Sequence, residues 1–426
     1  MKRALTLCVC AVCAAAALAL PARRGPDNPL VRLARLYEDQ RFFELRDAVA
    51  RMADNRQTEM AFFRGAVDVA FNRLGPAVAA LTDYLADTAG LPPGGLTREA
   101  RALLAEAYRR QGRYRDAAEA YQVILRRFGA ELGPGTKARF EDQYSLWSAL
   151  ADVPPQTVDL GNGALIRMIN RHFPARIGGR EFFAGTDTGS NISVLYESLA
   201  SDLGVPLLGG DIKAQTVTGK AIVGRAGLVR EMRIGPIVIR NVVVLVLPDN
   251  LFQTARSRLG VDRRALLGTP VLEALKELTE TRDGDLIIPA RPGRRASENM
   301  CFVGSMPVVE VVHRGARLSL CLDTGSPLTY LYPPFFRRYR GEIQVRSRKR
   351  VSLLHGVGNK RSVDVRILDH FSFETDGVSV NMNRIPVQTE VTHADSRHFF
   401  GTLGTDILRQ CRRMTFNFES MSFILE

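Results

Sequence analysis

The sequence predicts a multidomain chain of two unlike parts. An N-terminal all-α helical repeat precedes an all-β region of two pseudo-symmetric lobes. Three observations carry this. Asp187-Thr188-Gly189-Ser190 recurs as Asp323-Thr324-Gly325-Ser326, 136 positions later (323 − 187). Leu267-Gly268-Thr269 recurs as Leu403-Gly404-Thr405, and Leu195-Tyr196 as Leu331-Tyr332, at the same offset. Features held in register without a gap mark an internal duplication. Before residue 150 apolar residues recur at helical spacing, whereas from Thr157 the period shortens toward two.

The chain begins with Lys2-Arg3 and an apolar, Ala- and Cys-rich run from Ala4 to Leu20, with Ala17-Leu18-Ala19 as a small-x-small cleavage signal. Residues 1–22 read as a secretory signal peptide, so the expected location is secreted or periplasmic. A retained membrane anchor is the other reading of this run. No later segment is apolar enough for a stable membrane span.

Residues 28–152 are the predicted helical domain. Its clearest stretch is Ala102–Tyr108, then Gln111-Gly112-Arg113-Tyr114, then Asp116–Tyr121. This resembles a tetratricopeptide repeat, helix, Gly-containing turn, helix. Asp39-Gln40-Arg41-Phe42 and Arg73-Leu74-Gly75-Pro76-Ala77 read as the turns of two earlier pairs, and Thr136–Leu150, with Trp147, as a cap. The resemblance implies a protein partner on a concave surface, and a plain packing or dimerisation module is the alternative. Asp152-Val153-Pro154-Pro155 marks the boundary.

In each duplicated unit an apolar run leads into Asp-Thr-Gly-Ser. A strand that ends in Asp delivers its carboxylate to a fixed place. Gly is expected to let the backbone turn sharply and its N–H approach the carboxylate. The Thr and Ser hydroxyls are expected to hold backbone or the Asp itself. Two units related by a local two-fold bring two carboxylates together, which then share a proton. An acid and a base around one water is what amide hydrolysis needs.

Over about residues 158–426 the sequence resembles a retropepsin-like or pepsin-like aspartic protease. Each unit has the Asp-Thr-Gly-Ser loop and a later apolar-apolar-Gly motif, Leu266-Leu267-Gly268 and Thr402-Leu403-Gly404. The resemblance implies a bilobal acid-protease fold, with lobe 1 at 157–290, a linker at 291–299 and lobe 2 at 300–426. It implies an aspartic endopeptidase with Asp187 and Asp323 as catalytic residues. Thr188 and Thr324 would make crossed hydrogen bonds beneath them, and Ser190 and Ser326 would orient the outer carboxylate oxygens. Gly189 and Gly325 complete the two loops. Gly219 and Gly356 are the expected flap residues. Two flaps are favoured, because no Tyr stands in Gln215–Gly227 where a one-flap pepsin-like enzyme carries one. The substrate is then a peptide or protein.

Individual strands are expected at Ala164–Ile169, Ala175–Ala184 and Leu286–Ile288, with a strand pair over Ile237–Leu247. In the second unit they are expected at Val308–Val312, Leu318–Leu322, Val378–Val387 and Met414–Leu425, and Ala290–Ser297 reads as an exposed basic linker. After signal removal Cys301, Cys321 and Cys411 remain, with Cys321 a buried strand residue and Cys301–Cys411 a possible bridge. The six His are scattered without metal-ligand spacing, so no metal or cofactor is expected. The net charge of +13 is spread over the chain without interleaved aromatics, and no nucleic-acid partner is expected. The alternative function is a non-catalytic peptide-binding pseudoprotease, favoured by one departure: Gly185-Thr186 stands before Asp187 where the family has bulky apolar residues.

Overall fold

The computed structural model describes residues 28–426 apart from 91–93, 217, 219–220, 252–262, 296 and 357–358. The expected signal peptide and Gly219 therefore lie outside the described residues. A helical region over 29–149 is followed by a β-rich region. Two compact units result: Gln156–Met300 with Ser305–Glu426 form one, and the described residues 28–155 with Cys301–Gly304 form the other.

The helical unit holds α1 (Pro29–Glu38), α2 (Phe42–Arg51), α3 (Thr58–Ala70), α4 (Leu74–Asp87), α5 (Gly95–Arg110), α6 (Tyr114–Phe128) and α7 (Pro134–Ala149). The first six form three helix–turn–helix pairs with one turn design. Gln40, Asn72 and Gly112 each take a positive φ, of 57°, 59° and 72°. The N–H of the following arginine, Arg41, Arg73 or Arg113, then reaches back to the carbonyl of Leu36, Asp68 or Tyr108. A left-handed residue after a helix frees the chain to satisfy its last carbonyls in this way. The second turn is thus Phe71–Arg73, earlier than the sequence suggests. Leu74–Ala77 lies inside α4, where Pro76 is tolerated because the N–H it lacks has no acceptor in a first helical turn.

Aromatic side chains fill this core. The Phe62 ring lies 5.2 Å from Tyr37, 5.2 Å from Phe63 and 5.7 Å from Tyr84. Trp147 of α7 stacks on Tyr114 at 5.5 Å. Phe62 is fully buried, so Phe62→Ala is expected to destabilise the helical unit by about 3–5 kcal/mol. Denaturant unfolding followed by circular dichroism checks this.

The other unit begins with β1 (Thr157–Asp159), β2 (Gly163–Arg167), β3 (His172–Ile177), β4 (Arg180–Asp187) and β5 (Ser193–Tyr196). Helix α8 (Glu197–Asp202), β6 (Leu207–Gln215), β7 (Ala221–Ile234), β8 (Ile237–Leu247), β9 (Ala265–Gly268), α9 (Thr269–Ala274), β10 (Glu277–Thr281) and β11 (Asp285–Pro289) follow. Then come β12 (Met300–Val303, of which Cys301–Val303 fall in the helical unit), β13 (Met306–His313), β14 (Ala316–Leu322), β15 (Tyr330–Leu331), α10 (Pro333–Arg338), α11 (Arg340–Arg346), β16 (Ser347–Gly356), β17 (Asn359–Thr375) and β18 (Val378–Gln388). Helix α12 (Asp395–His398), β19 (Gly401–Leu403), β20 (Arg413–Asn417) and β21 (Ser422–Leu425) end the chain.

The strand pairings repeat. In the first half β8, β5, β9, β4, β3 and β7 are joined in that order, and β7 closes back on β8. In the second half β18, β15, β19, β14, β13 and β17 are joined the same way, and β17 closes on β18. Each ring carries two further strands, β6 on β7 and β1 on β8 in the first, β16 on β17 and β12 on β13 in the second. A five-stranded sheet, β2-β11-β10-β20-β21, joins the halves. At its centre Thr279 pairs with Thr415, with their hydroxyl oxygens 2.7 Å apart. These residues are also 136 positions apart. A residue that meets its own counterpart lies on the axis relating the two copies.

Four expectations change. Ile237–Leu247 is one strand, not two, and pairs with β7 along its length. Asn241, at φ 58°, bends it without reversing it. Val378–Val387 likewise lies in a single strand. The expected linker is tied down at Gly293, whose N–H donates to Glu277 at 2.6 Å and whose carbonyl accepts from Asn417 at 2.7 Å. Cys301, Cys321 and Cys411 are all buried and unbridged, so Cys301–Cys411 pairing is not observed. Each serves as a small apolar side chain.

Candidate active site

Asp187 ends β4, and Asp323 follows β14. Both strands are central in their rings, held by parallel neighbours. Asp187 lies in register with Gly268 of β9, and the N–H of Asp323 donates to the Leu403 carbonyl of β19 at 3.1 Å. The apolar-apolar-Gly motifs pack directly on the two loops. A Cβ on Gly268 would fall 2.6 Å from the Ile192 carbonyl oxygen and 2.8 Å from that of Ser190. A Cβ on Gly404 would fall 2.5 Å from the Leu328 carbonyl oxygen and 2.8 Å from that of Ser326. Only glycine allows that approach.

The two loops then lock together. The Thr188 N–H donates to Thr324 Oγ1 at 3.0 Å, and the Thr324 N–H donates to Thr188 Oγ1 at 3.0 Å. Thr188 Oγ1 in turn donates to the Leu322 carbonyl at 2.8 Å. These are the crossed bonds expected of Thr188 and Thr324. Both side chains are buried, so the lattice forms away from water, where hydrogen bonds are strongest.

Above it stand the carboxyl groups. Asp187 is fully buried and Asp323 is 4% exposed. Gly189 is so near that a Cβ on it would lie 2.7 Å from Asp323 Oδ1, and one on Gly325 would lie 2.6 Å from Asp187 Oδ1. Neither glycine takes a positive φ. The chain does turn sharply at each, with the Ser190 and Ser326 N–H groups donating to the Asp187 and Asp323 carbonyls at 3.2 and 3.1 Å, but what requires glycine is room for the opposite carboxyl group. The Gly189 N–H also donates to Asp187 Oδ1 at 3.0 Å, and the Ser326 N–H to Asp323 Oδ1 at 3.1 Å.

Burial pushes the Asp323 carboxyl up to about 7, against the opposing pull of the Gly325 and Ser326 N–H groups and a hydrogen bond with Asp187. The Asp395 charge adds to the upward push. A hydrogen bond between two carboxyl groups requires a proton on one of them, and at neutral pH and below the Asp323 side of the pair can hold it.

The serines differ from expectation. Ser190 Oγ donates to the Ile192 carbonyl at 2.6 Å and Ser326 Oγ to the Leu328 carbonyl at 2.8 Å. Their protons brace the loops as local side-chain-to-backbone turns, and backbone N–H groups point at the carboxylates. Gly185-Thr186 does not shift its loop. Gly185, Thr186 and Asp187 continue β4 in unbroken register with Leu266, Leu267 and Gly268.

Of the expected flap residues, Gly356 ends β16 and pairs with Asn359 near the tip of the β16–β17 hairpin. The β6–β7 hairpin occupies the matching place in the first half, and Thr216 and Thr218 near its tip are joined through their hydroxyls at 2.8 Å. Sequence reasoning missed Glu280 and Arg171 beneath the first loop, and the Thr279–Thr415 axis pair. The 136-residue offset, applied to Thr279, would have found the last.

Comparison with known proteins bears on this geometry. Residues 173–271 match the family model described as aspartyl protease, a stretch within the first half of the duplication. This match supports an aspartic-type peptidase. No curated protein matches the chain. A crystal structure of a retropepsin-like aspartic protease from Rickettsia conorii is 21% identical, covering 31% of this chain and 91% of its own, with a TM-score of 0.20.

Proposed function

We propose that the chain is an aspartic endopeptidase of bilobal, retropepsin-like build, with one carboxyl group of its catalytic pair from each lobe. The observation that carries the reading is the buried contact of Asp187 with Asp323, framed by reciprocal Thr188–Thr324 hydrogen bonds. Asp187, ionised, takes a proton from a water placed between the two groups. The water oxygen attacks the scissile carbonyl carbon while Asp323 gives its proton to the carbonyl oxygen. Collapse of the tetrahedral species breaks the C–N bond, and the proton now on Asp187 passes to the leaving amine. The β6–β7 and β16–β17 hairpins are read as flaps that close over a peptide substrate and exclude water. The helical unit, read as tetratricopeptide-like, supplies a protein-binding surface, and residues 1–22 direct export. Among the described residues no helix is long and apolar enough to cross a membrane.

The test is cleavage of a mixed peptide library from acid to neutral pH, with and without a statine-type inhibitor. Inhibitor-sensitive cleavage is expected, and its absence in a folded protein at every pH would overturn the reading. Activity is expected to fall as pH rises through about 7, where Asp323 loses its proton. Stability has a matching signature. The folded-state value of Asp323 lies above its unfolded value of 3.8. Its contribution is therefore full below about 4 and lost as pH rises to about 7. Thermal melts of wild type and Asp323→Asn are expected to differ by a downward slope over that window, present only in wild type.

A further inference from the structure

Thr186 carries a hydroxyl on the residue immediately before Asp187. That hydroxyl donates to Glu280 Oε1 at 2.5 Å, and Glu280 Oε2 lies 2.5 Å from the Arg171 guanidinium. The Glu280 side chain is fully buried, while Arg171 is 32% exposed. An ionised carboxylate with no access to water is retained only with a charge partner and hydrogen bonds. Arg171 supplies the first at a conformational cost. It sits in the two-residue turn Ile169–His172, where Asn170 and Arg171 have φ of 51° and 63°. That left-handed conformation is unfavourable for a residue with a long side chain.

The duplication provides an internal control. At the 136-residue offset, Thr186, Glu280 and Arg171 correspond to Leu322, Phe416 and Pro307. The second half thus holds its strand end with apolar groups where the first uses a polar chain. Nothing in the packing of a generic β-ring demands this, since the same ring closes without it.

We propose that Glu280 and Arg171 are positioning residues for Asp187, acting through the Thr186 hydroxyl, and that they make the two members of the catalytic pair unequal. This rests on the endopeptidase reading above. Arg171 neutralises Glu280 under the first carboxyl group, and the fixed Thr186 holds the end of β4. Other titratable groups on the surrounding strands have other partners. His172, in register with Gly185, has its Nδ1 2.9 Å from the Asn170 carbonyl oxygen. Glu277 accepts from Asn417, Arg282 donates to the Leu408 and Cys411 carbonyls, Arg413 pairs with Glu426, and Asp285 pairs with Arg167.

The experiment measures kcat, KM and pH profiles of the full chain bearing Glu280→Gln, Arg171→Met, or both, on a peptide cleaved by wild type. Each single variant is expected to lower kcat by about 10- to 100-fold with little change in KM, as a small misplacement of a reacting group does. The acid limb of Glu280→Gln is expected to move down by about one pH unit, because the partly exposed Arg171 cation is left unopposed beside the carboxyl pair. In Arg171→Met the fully buried Glu280 has no charge partner and takes up a proton, so that limb is expected to stay in place. The double variant, which holds neither charge, is expected to keep the limb at the wild-type position. An unmoved limb in Glu280→Gln, or the same downward shift in Arg171→Met, would overturn the proposal. If a single variant fails to fold, the double variant, which buries no unpaired charge, is compared with wild type on kcat alone, and an unchanged kcat overturns it. Asp187→Asn separates the two readings: if it retains activity the endopeptidase reading fails, and if it is dead while these variants behave as wild type only this inference fails.

Discussion

Asp187→Asn and Asp323→Asn are each expected to lower kcat by about 10³-fold or more while leaving the fold intact. Each substitution keeps the volume and removes the capacity for charge. Asn at 187 cannot accept the proton of the attacking water, and Asn at 323 cannot deliver one to the carbonyl oxygen. The crossed Thr188–Thr324 bonds involve neither carboxyl group, so the loops remain locked. Loss of activity with a cooperative melt retained is the expected pattern, the Asp323→Asn melt matching wild type below about pH 4, where Asp323 is protonated. Because the two groups act as one unit, the double variant should be little worse than either single one. Activity retained in both single variants would remove the pair from the mechanism.

Gly189→Ala and Gly325→Ala test the same site from the opposite side, by adding one methyl group. That methyl group would stand 2.7 Å from the Asp323 carboxylate oxygen in the first case and 2.6 Å from that of Asp187 in the second. Atoms do not approach so closely, so a loop or a carboxyl group must move. A displacement of about 1 Å is expected to reduce kcat about 100-fold, with about 1–3 kcal/mol of stability lost to overpacking. Gly341→Ala is the contrasting substitution. Its added Cβ meets nothing within 4 Å, and, lying in α11, it is expected to leave kcat unchanged and to raise stability by up to about 1 kcal/mol. Equal activity in all three would mean that the close approach of the carboxyl groups has no functional weight.

Much of this molecule is legible in the chain itself. The repeat of Asp-Thr-Gly-Ser with its downstream glycine motif is linear information, and it leads directly to the two carboxyl groups, the two threonines and the two ring-forming halves. Helical periodicity likewise located three helix–turn–helix pairs and a final helix within a few residues. Where it slipped, at Arg73–Ala77, a left-handed Asn72 did the work that a nearby Gly and Pro had suggested.

What the tertiary structure alone decided lies between residues far apart in sequence. The motif glycines have a local rationale that holds but is incomplete: the chain turns at them with ordinary φ values, and the constraint that demands glycine is the carboxyl group of the other half. The motif serines look like carboxylate ligands, yet their protons go to carbonyls two residues on. Gly185-Thr186 looks like a defect in a catalytic loop until Glu280, 94 positions away, is seen to accept the Thr186 hydroxyl. Periodicity and spacing report how a segment meets water and its immediate neighbours. A buried charge can be explained only by the partner that folding brings to it, and for Glu280 that partner is Arg171, in a turn 109 positions earlier (280 − 171).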